Sequence, residues 1–85
     1  MKRRIWGKDI LERYRNLNGD SGVTHFEIGS NFIRVQFHDP AIYVYDYHRP
    51  GQHHVEHMKM LAVAGRGLST YISQHVRNNY ARKER

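Results

Sequence analysis

The sequence contains no cysteine, only two prolines and a single tryptophan among its 85 residues. Without cysteine, disulfide bonds and thiolate metal sites are excluded. No apolar run approaches the roughly 20 residues that a transmembrane helix requires. The basic start, Met1–Trp6, is followed by charged residues and not by an apolar stretch of the kind that a secretory signal needs. We therefore expect a cytoplasmic protein with no membrane association.

Groups with a recognisable catalytic arrangement are also missing. No serine lies in a pattern that pairs it with a base, and the eight carboxylates are scattered along the chain without a paired motif. The sequence therefore predicts a protein that is not an enzyme and that needs no cofactor.

Positive charge, by contrast, is abundant. Fourteen Lys and Arg residues against eight Asp and Glu give a formal net charge of +6, and ten of the cations are arginines. Arginine binds phosphate through two parallel hydrogen bonds and stacks on bases, so this composition suits a nucleic-acid partner. The hydrophobic content of 39% is sufficient for the core of one small domain.

The periodicity of apolar residues predicts an α+β fold that begins with a helix. Trp6, Ile10, Leu11, Tyr14 and Leu17 fall on one helical face, and turn formers follow over 16–22. The pattern then alternates with a period of two over 23–28, 32–38 and 41–47. The short connections Gly29–Asn31 and Asp39–Pro40 make these segments a three-stranded antiparallel meander.

The last third of the chain returns to a helical period. Apolar residues recur from Val55 to Ala62 and again from Leu68 to Tyr80, which predicts two C-terminal helices packed on one face of the sheet. A glycine after the first helix suits a left-handed C-terminal residue, and Ser69 suits the N-cap of the second. The Gly65–Gly67 segment is then an interhelical turn, or alternatively a place where Arg66 and free amides hold one phosphate.

Several of these segments resemble the KTSC domain, a short module of bacterial and phage proteins that also occurs at the C-terminus of some lysyl-tRNA synthetases. The resemblance is carried by the tyrosine strand 43–47 and by the segments 58–62, 64–68, 71–72 and 75–77. Both Tyr43 with Tyr45 and Tyr45 with Tyr47 fit the tyrosine pair of the family. The resemblance divides the chain into an N-terminal helix and linker over 1–21, a KTSC-like domain over 22–80 and a basic tail over 81–85. From the synthetase context it implies RNA binding.

The three strand tyrosines allow two interpretations. Tyr43, Tyr45 and Tyr47 share one face of an extended strand. If that face is open, the tyrosines form a base-stacking platform beside Arg34 and His38. If it faces the helices, they fill the core with their hydroxyls at the rim, and we favour this second interpretation.

His53 and His57 are one helical turn apart, which is a known zinc spacing. The surrounding order lacks the arrangement of a zinc hydrolase, so we favour a solvated helix face and predict no metal.

We conclude from the sequence that this is a small non-enzymatic module that binds RNA through a basic surface and its strand tyrosines. The alternative is a protein-interaction module, or one that self-associates through its N-terminal helix. The predicted nucleic-acid-binding residues are Arg34, Tyr43, Tyr45, Tyr47, Arg49, Lys59, Arg66 and Arg77.

Overall fold

The computed structural model describes residues 11–84, which form an antiparallel sheet covered on one face by helices. The sheet has five strands in sequence order: β1 (Glu12–Arg13), β2 (Val23–Ile28), β3 (Phe32–Phe37), β4 (Ile42–Asp46) and β5 (Arg82–Lys83). The two-residue strands β1 and β5 lie at opposite edges. Short edge strands expose little unpaired backbone, which limits edge-to-edge pairing between molecules.

The central strands confirm the predicted meander. In the β2–β3 pair Phe26 lies opposite Val35, and in the β3–β4 pair Val35 lies opposite Tyr43. The turn between β3 and β4 is closed by Asp39, whose Oδ1 accepts a hydrogen bond from the Ala41 amide at 2.9 Å. This side-chain contact within a turn explains why Asp39–Pro40 ends one strand and starts the next.

The helical part follows β4. Helix α1 spans Gln52–Ala64 and ends at Gly65, which has φ 78° and donates its amide to the carbonyls of Leu61 and Ala62. A short helix α2 (Leu68–Tyr71) continues as a π-helical segment (Ile72–Val76). The segment ends with a hydrogen bond from the Arg77 amide to the Ile72 carbonyl at 2.6 Å, the five-residue spacing of a π-helix.

The core lies between the sheet and the helices. Ile33, Val35 and Tyr45 from β3 and β4 meet Val55 and Met58 from α1. Alternation along the strands places these residues on one face, and helical spacing places Val55 and Met58 on one side of α1. The further core residues are Tyr14, Val23, Phe26, Ala62, Leu68, Tyr71, Ile72 and Val76.

The N-terminal helix and the number of strands in the predicted architecture are wrong. The N-terminal helix is contradicted over its described half, because Glu12–Arg13 pair with β2 and the Tyr14 amide donates to the Thr24 carbonyl. Trp6 and Ile10, which belonged to that helix, lie outside the described residues. The sheet has five strands and not three, because β1 adds to β2 and β5 adds to β4.

The second C-terminal helix also differs from the prediction. It does not continue to Tyr80, because helical structure ends at Val76. Its N-cap is Gly67 and not Ser69, and the amide of its first residue, Leu68, donates to the Tyr14 hydroxyl at 3.2 Å. The predicted left-handed glycine after α1 is confirmed at Gly65. Within residues 11–84, no helix is long and apolar enough to cross a membrane.

Replacement of Gly65 by alanine tests the close packing at the end of α1. Both Gly65 and Gly19 have positive φ, so alanine should cost about 1–2 kcal/mol at either position. Only at Gly65 would the new Cβ also meet a neighbour, since it would lie 2.9 Å from the Arg15 Cβ. We expect Gly65→Ala to lower the free energy of unfolding in urea by about 1–3 kcal/mol more than the control Gly19→Ala. Equal losses would contradict the packing of the N-terminal segment against α1.

Candidate functional site

A groove of about 460 Å³ opens between β4 and the π-helical segment. We call it the aromatic groove, after the four rings that line it: Phe37, Tyr43, Tyr45 and Tyr80. The Tyr43 and Tyr80 ring centroids are 4.7 Å apart, and those of Phe37 and Tyr43 are 5.6 Å apart, both in edge-to-face geometry. Aromatic pairs of this geometry contribute about 0.5–1.5 kcal/mol beyond the burial of their area, which favours the ring orientations that shape the groove.

The chain after the π-helical segment forms one wall of the aromatic groove. The Ala81 amide donates to the Val44 carbonyl at 2.7 Å, which aligns this segment with β4. Tyr80 therefore lies beside two tyrosines of β4, with its ring centroid 6.3 Å from that of Tyr45. A residue distant in sequence thus completes the set of rings.

The tyrosines face the helices and do not form an open platform. Tyr45 is only 1% exposed and is fully within the core, as we favoured from the sequence. Burial, followed by the neighbouring Tyr43 and Tyr80, raises the pKa of Tyr45 well above its ordinary value. Tyr43 is half-buried in the groove wall, where it remains accessible to a ligand.

Tyr47 lies outside the groove although it shares the strand pattern. It is 37% exposed, and its hydroxyl donates to Glu56 Oε2 at 2.6 Å. Lys59 contacts the same carboxylate at 2.8 Å and donates to the Ser30 carbonyl. The hydrogen bond to Glu56 raises the pKa of Tyr47, and the bonds from Lys59 and Tyr47 lower the pKa of Glu56. These contacts connect the β2–β3 turn to α1. They also engage the Tyr47 hydroxyl and the Lys59 ammonium group in bonds within the protein.

Cations lie beside the aromatic groove. Arg77 lines it and donates through Nε to the Ser73 carbonyl at 3.0 Å, which leaves the rest of its guanidinium available. Lys83 Nζ lies 5.6 Å from the centroid of the Tyr43 ring. Arg49 donates to the side chain of Asn79, next to the groove residue Asn78. Within residues 11–84, Arg77 and Lys83 form no ion pair.

Arg34 lies on the opposite face of the sheet and is neutralised there. Its Nη1 contacts Glu27 at 2.6 Å and its Nη2 contacts Glu84 at 2.7 Å. Burial alone would lower the pKa of Arg34, but its bonds to Glu27 and Glu84 raise it. Glu84 also contacts Arg82 at 3.2 Å. The structure therefore separates Arg34 from the tyrosines.

Arg66 is exposed in the turn between α1 and α2 and lines a different, smaller concavity with Asn16 and Asp20. Of the eight residues predicted from the sequence, the aromatic groove contains Tyr43, Tyr45 and Arg77, and Arg49 lies near it.

The prediction missed several residues of the groove. Phe37 and Asp39 were assigned to a strand and a turn, and Tyr80 to a helical face. The pair Asn78–Asn79 is a turn signal that could have ended the helix before Tyr80. No sequence signal indicates that Lys83 forms a strand beside Tyr43.

A second cluster of titratable groups surrounds Tyr71, between α1 and the π-helical segment. The Tyr71 ring lies between those of His57 and His75, each 4.5 Å away, and its hydroxyl is 2.6 Å from His54 Nδ1. Burial raises the pKa of Tyr71. Burial, and then the nearby His53, His75 and His57, lower the pKa of His54. Among residues 11–84, no three histidine or carboxylate side chains are arranged to hold a metal ion.

Comparisons with protein-family models, curated proteins and solved structures found no match to this chain. The resemblance to the KTSC domain therefore stays a prediction.

The histidine cluster predicts a loss of stability in acid. Because the folded state lowers the pKa of His54, it disfavours the protonated imidazole relative to the unfolded chain. The contribution of neutral His54 to the free energy of unfolding is complete above the ordinary histidine pKa of about 6.5. It is lost as the pH falls through the lower pKa of the folded state. We expect the free energy of unfolding in urea to fall less between about pH 7.5 and about pH 5 in His54→Asn than in the wild type. Asparagine can keep a polar atom near the Tyr71 hydroxyl.

The control is His38→Asn, which changes an exposed histidine of the β3–β4 turn outside the cluster. This variant should follow the wild-type decline. An equally steep decline in His54→Asn would contradict the assigned role of His54.

Proposed function

We propose that this protein binds single-stranded RNA by holding one base in the aromatic groove and the adjoining phosphates on Arg77 and Lys83. The observation that carries the proposal is a groove with tyrosine walls and an arginine among its lining residues. Single-stranded RNA is recognised mostly through unstacked bases that pack on aromatic side chains, together with phosphate contacts from cations.

The size and the charge of the groove support this function. Small-ligand sites have volumes of roughly 300–1,000 Å³, and the groove measures about 460 Å³. Such a volume suits one nucleotide and not a longer stretch. The net charge of +6 attracts a polyanion over the whole surface. A cytoplasmic location, where single-stranded RNA is present, belongs to the same proposal.

The groove replaces the open stacking platform as the place of base contact. With Tyr45 buried and Arg34 paired on the other face, a base cannot stack across the β4 face beside that arginine. Tyr43 and Tyr80 take over the stacking role, and Arg77 takes over the phosphate contact.

Binding can be measured by fluorescence anisotropy with short labelled single-stranded RNA and DNA at ~50 mM and ~200 mM salt. We expect the affinity to fall with salt and Tyr80→Leu to weaken binding by about 1–3 kcal/mol, because one stacked base is lost. Arg77→Gln should weaken binding and reduce the slope of log K against log salt by about 1.

The matched control for Arg77 is Arg13→Gln, which removes one exposed cation from β1, at the sheet edge opposite β5. Arg13→Gln should retain the wild-type salt slope more closely than Arg77→Gln. The folding of each variant is checked by thermal unfolding. Absence of binding at ~50 mM salt, or equal effects of Arg77→Gln and Arg13→Gln, would contradict the proposal.

A second candidate function, self-association, is favoured by exposed apolar residues near the end of α1. Met60 is 68% exposed and Val63 60%, and Leu17, at 55%, donates its amide to the Gly65 carbonyl at that end. Apolar residues grouped in this way are a mark of interaction surfaces. If two copies pair here, the mass measured by light scattering should rise with concentration, and Met60→Gln with Val63→Gln should abolish the rise. A constant monomer mass would exclude this candidate.

A further inference from the structure

The aromatic groove contains one acidic side chain, and its conformation is fixed. Asp39 lines the groove from the β3–β4 turn, near Phe37 and Tyr43. Its Oδ1 accepts the Ala41 amide at 2.9 Å, which holds the carboxylate in place. Within residues 11–84, Asp39 forms no ion pair. A fixed carboxylate without a cation is therefore presented to whatever occupies the groove.

The carboxylate determines which part of a nucleotide can lie next to it. A phosphate would be repelled by Asp39 and attracted by Arg77, so the two charges orient the nucleotide with its base towards Asp39. An ionised carboxylate only accepts hydrogen bonds, and it is best satisfied by two parallel donors. The base that offers two adjacent donors on its Watson–Crick edge is guanine, through N1–H and the N2 amine.

The other bases present an acceptor where guanine presents a donor. Adenine and cytosine place a ring nitrogen acceptor beside a single amine, and uracil places carbonyls on both sides of its one N–H. Each would bring a lone pair against the carboxylate, which is repulsive and leaves one carboxylate oxygen without a donor from the base. Guanine O6 needs a donor, and the exposed Asn78, which lines the aromatic groove, can supply its side-chain amide.

We propose that the aromatic groove selects guanine, with Asp39 as the residue that reads the N1–H and N2 amine edge. This inference rests on the proposed function, because it assumes that a base enters the groove. It goes beyond that function by naming the preferred base and the residue that determines the preference.

The test compares four labelled RNA heptamers in which the central position of a uridine tract is G, A, C or U. The wild type should bind the G heptamer about tenfold more tightly than the other three. In Asp39→Asn this preference should fall to near unity, because the amide replaces one acceptor with a donor. Asparagine keeps an oxygen that can accept the Ala41 amide, so the turn is preserved.

The matched control is Asp20→Asn, which makes the same charge change in an exposed loop outside the aromatic groove. It should leave the preference for G unchanged, although removal of any negative charge can raise affinity for all four heptamers. Asp39→Ser is a second variant that retains a turn-forming oxygen if Asp39→Asn folds poorly.

The outcomes separate the two proposals. Equal binding of the four heptamers by the wild type would overturn the guanine inference and leave the RNA-binding function standing. A preference for G that persists in Asp39→Asn and in Asp39→Ser would overturn the role of Asp39. No binding of any heptamer at ~50 mM salt would overturn both proposals.

Discussion

The burial of Tyr45 in the middle of the sheet is the constraint on which the rest of the structure depends. Tyr45 lies opposite Ile33 in the β3–β4 pair, beneath the helical layer. A slip of one residue in this pairing would move every side chain of the strand to the other face, so the buried ring fixes the register of β4. That register places Tyr43 on the same face, and Tyr80 then packs against both rings. The aromatic groove follows from this arrangement.

Cationic side chains on the two faces of the sheet differ in whether they have carboxylate partners. On the face away from the helices, Arg34 forms ion pairs with Glu27 and Glu84, which neutralise its charge. At the aromatic groove, Arg77 and Lys83 have no carboxylate partner within residues 11–84. Other exposed cations, among them Arg13 and Arg66, also form no ion pair within residues 11–84, but they lie away from these aromatic rings. This coincidence of rings and unpaired cations distinguishes the groove from the rest of the described surface.

The meander was predictable because its signals are local. Alternation over β2, β3 and β4 and the turn residues between them are visible in the sequence, and all three strands form as expected. The short strands β1 and β5 were not predictable, since two residues cannot show a period. Tyr14 illustrates the error. Its spacing from Ile10 and Leu17 fits a helix, whereas its burial comes from core packing and from a hydroxyl that accepts the Leu68 amide.

The sequence by itself determined the composition of the candidate site: a basic, cysteine-free chain with alternating tyrosines on one strand face. It also determined that Gly65 ends α1, because a left-handed backbone favours glycine. Only the tertiary structure decided which side chains meet. The helical segment ends with a π-type hydrogen bond, and the chain then returns along β4. This return places Tyr80 and Lys83 next to Tyr43. Such contacts between distant segments depend on how the elements pack, and periodicity along the chain does not encode them.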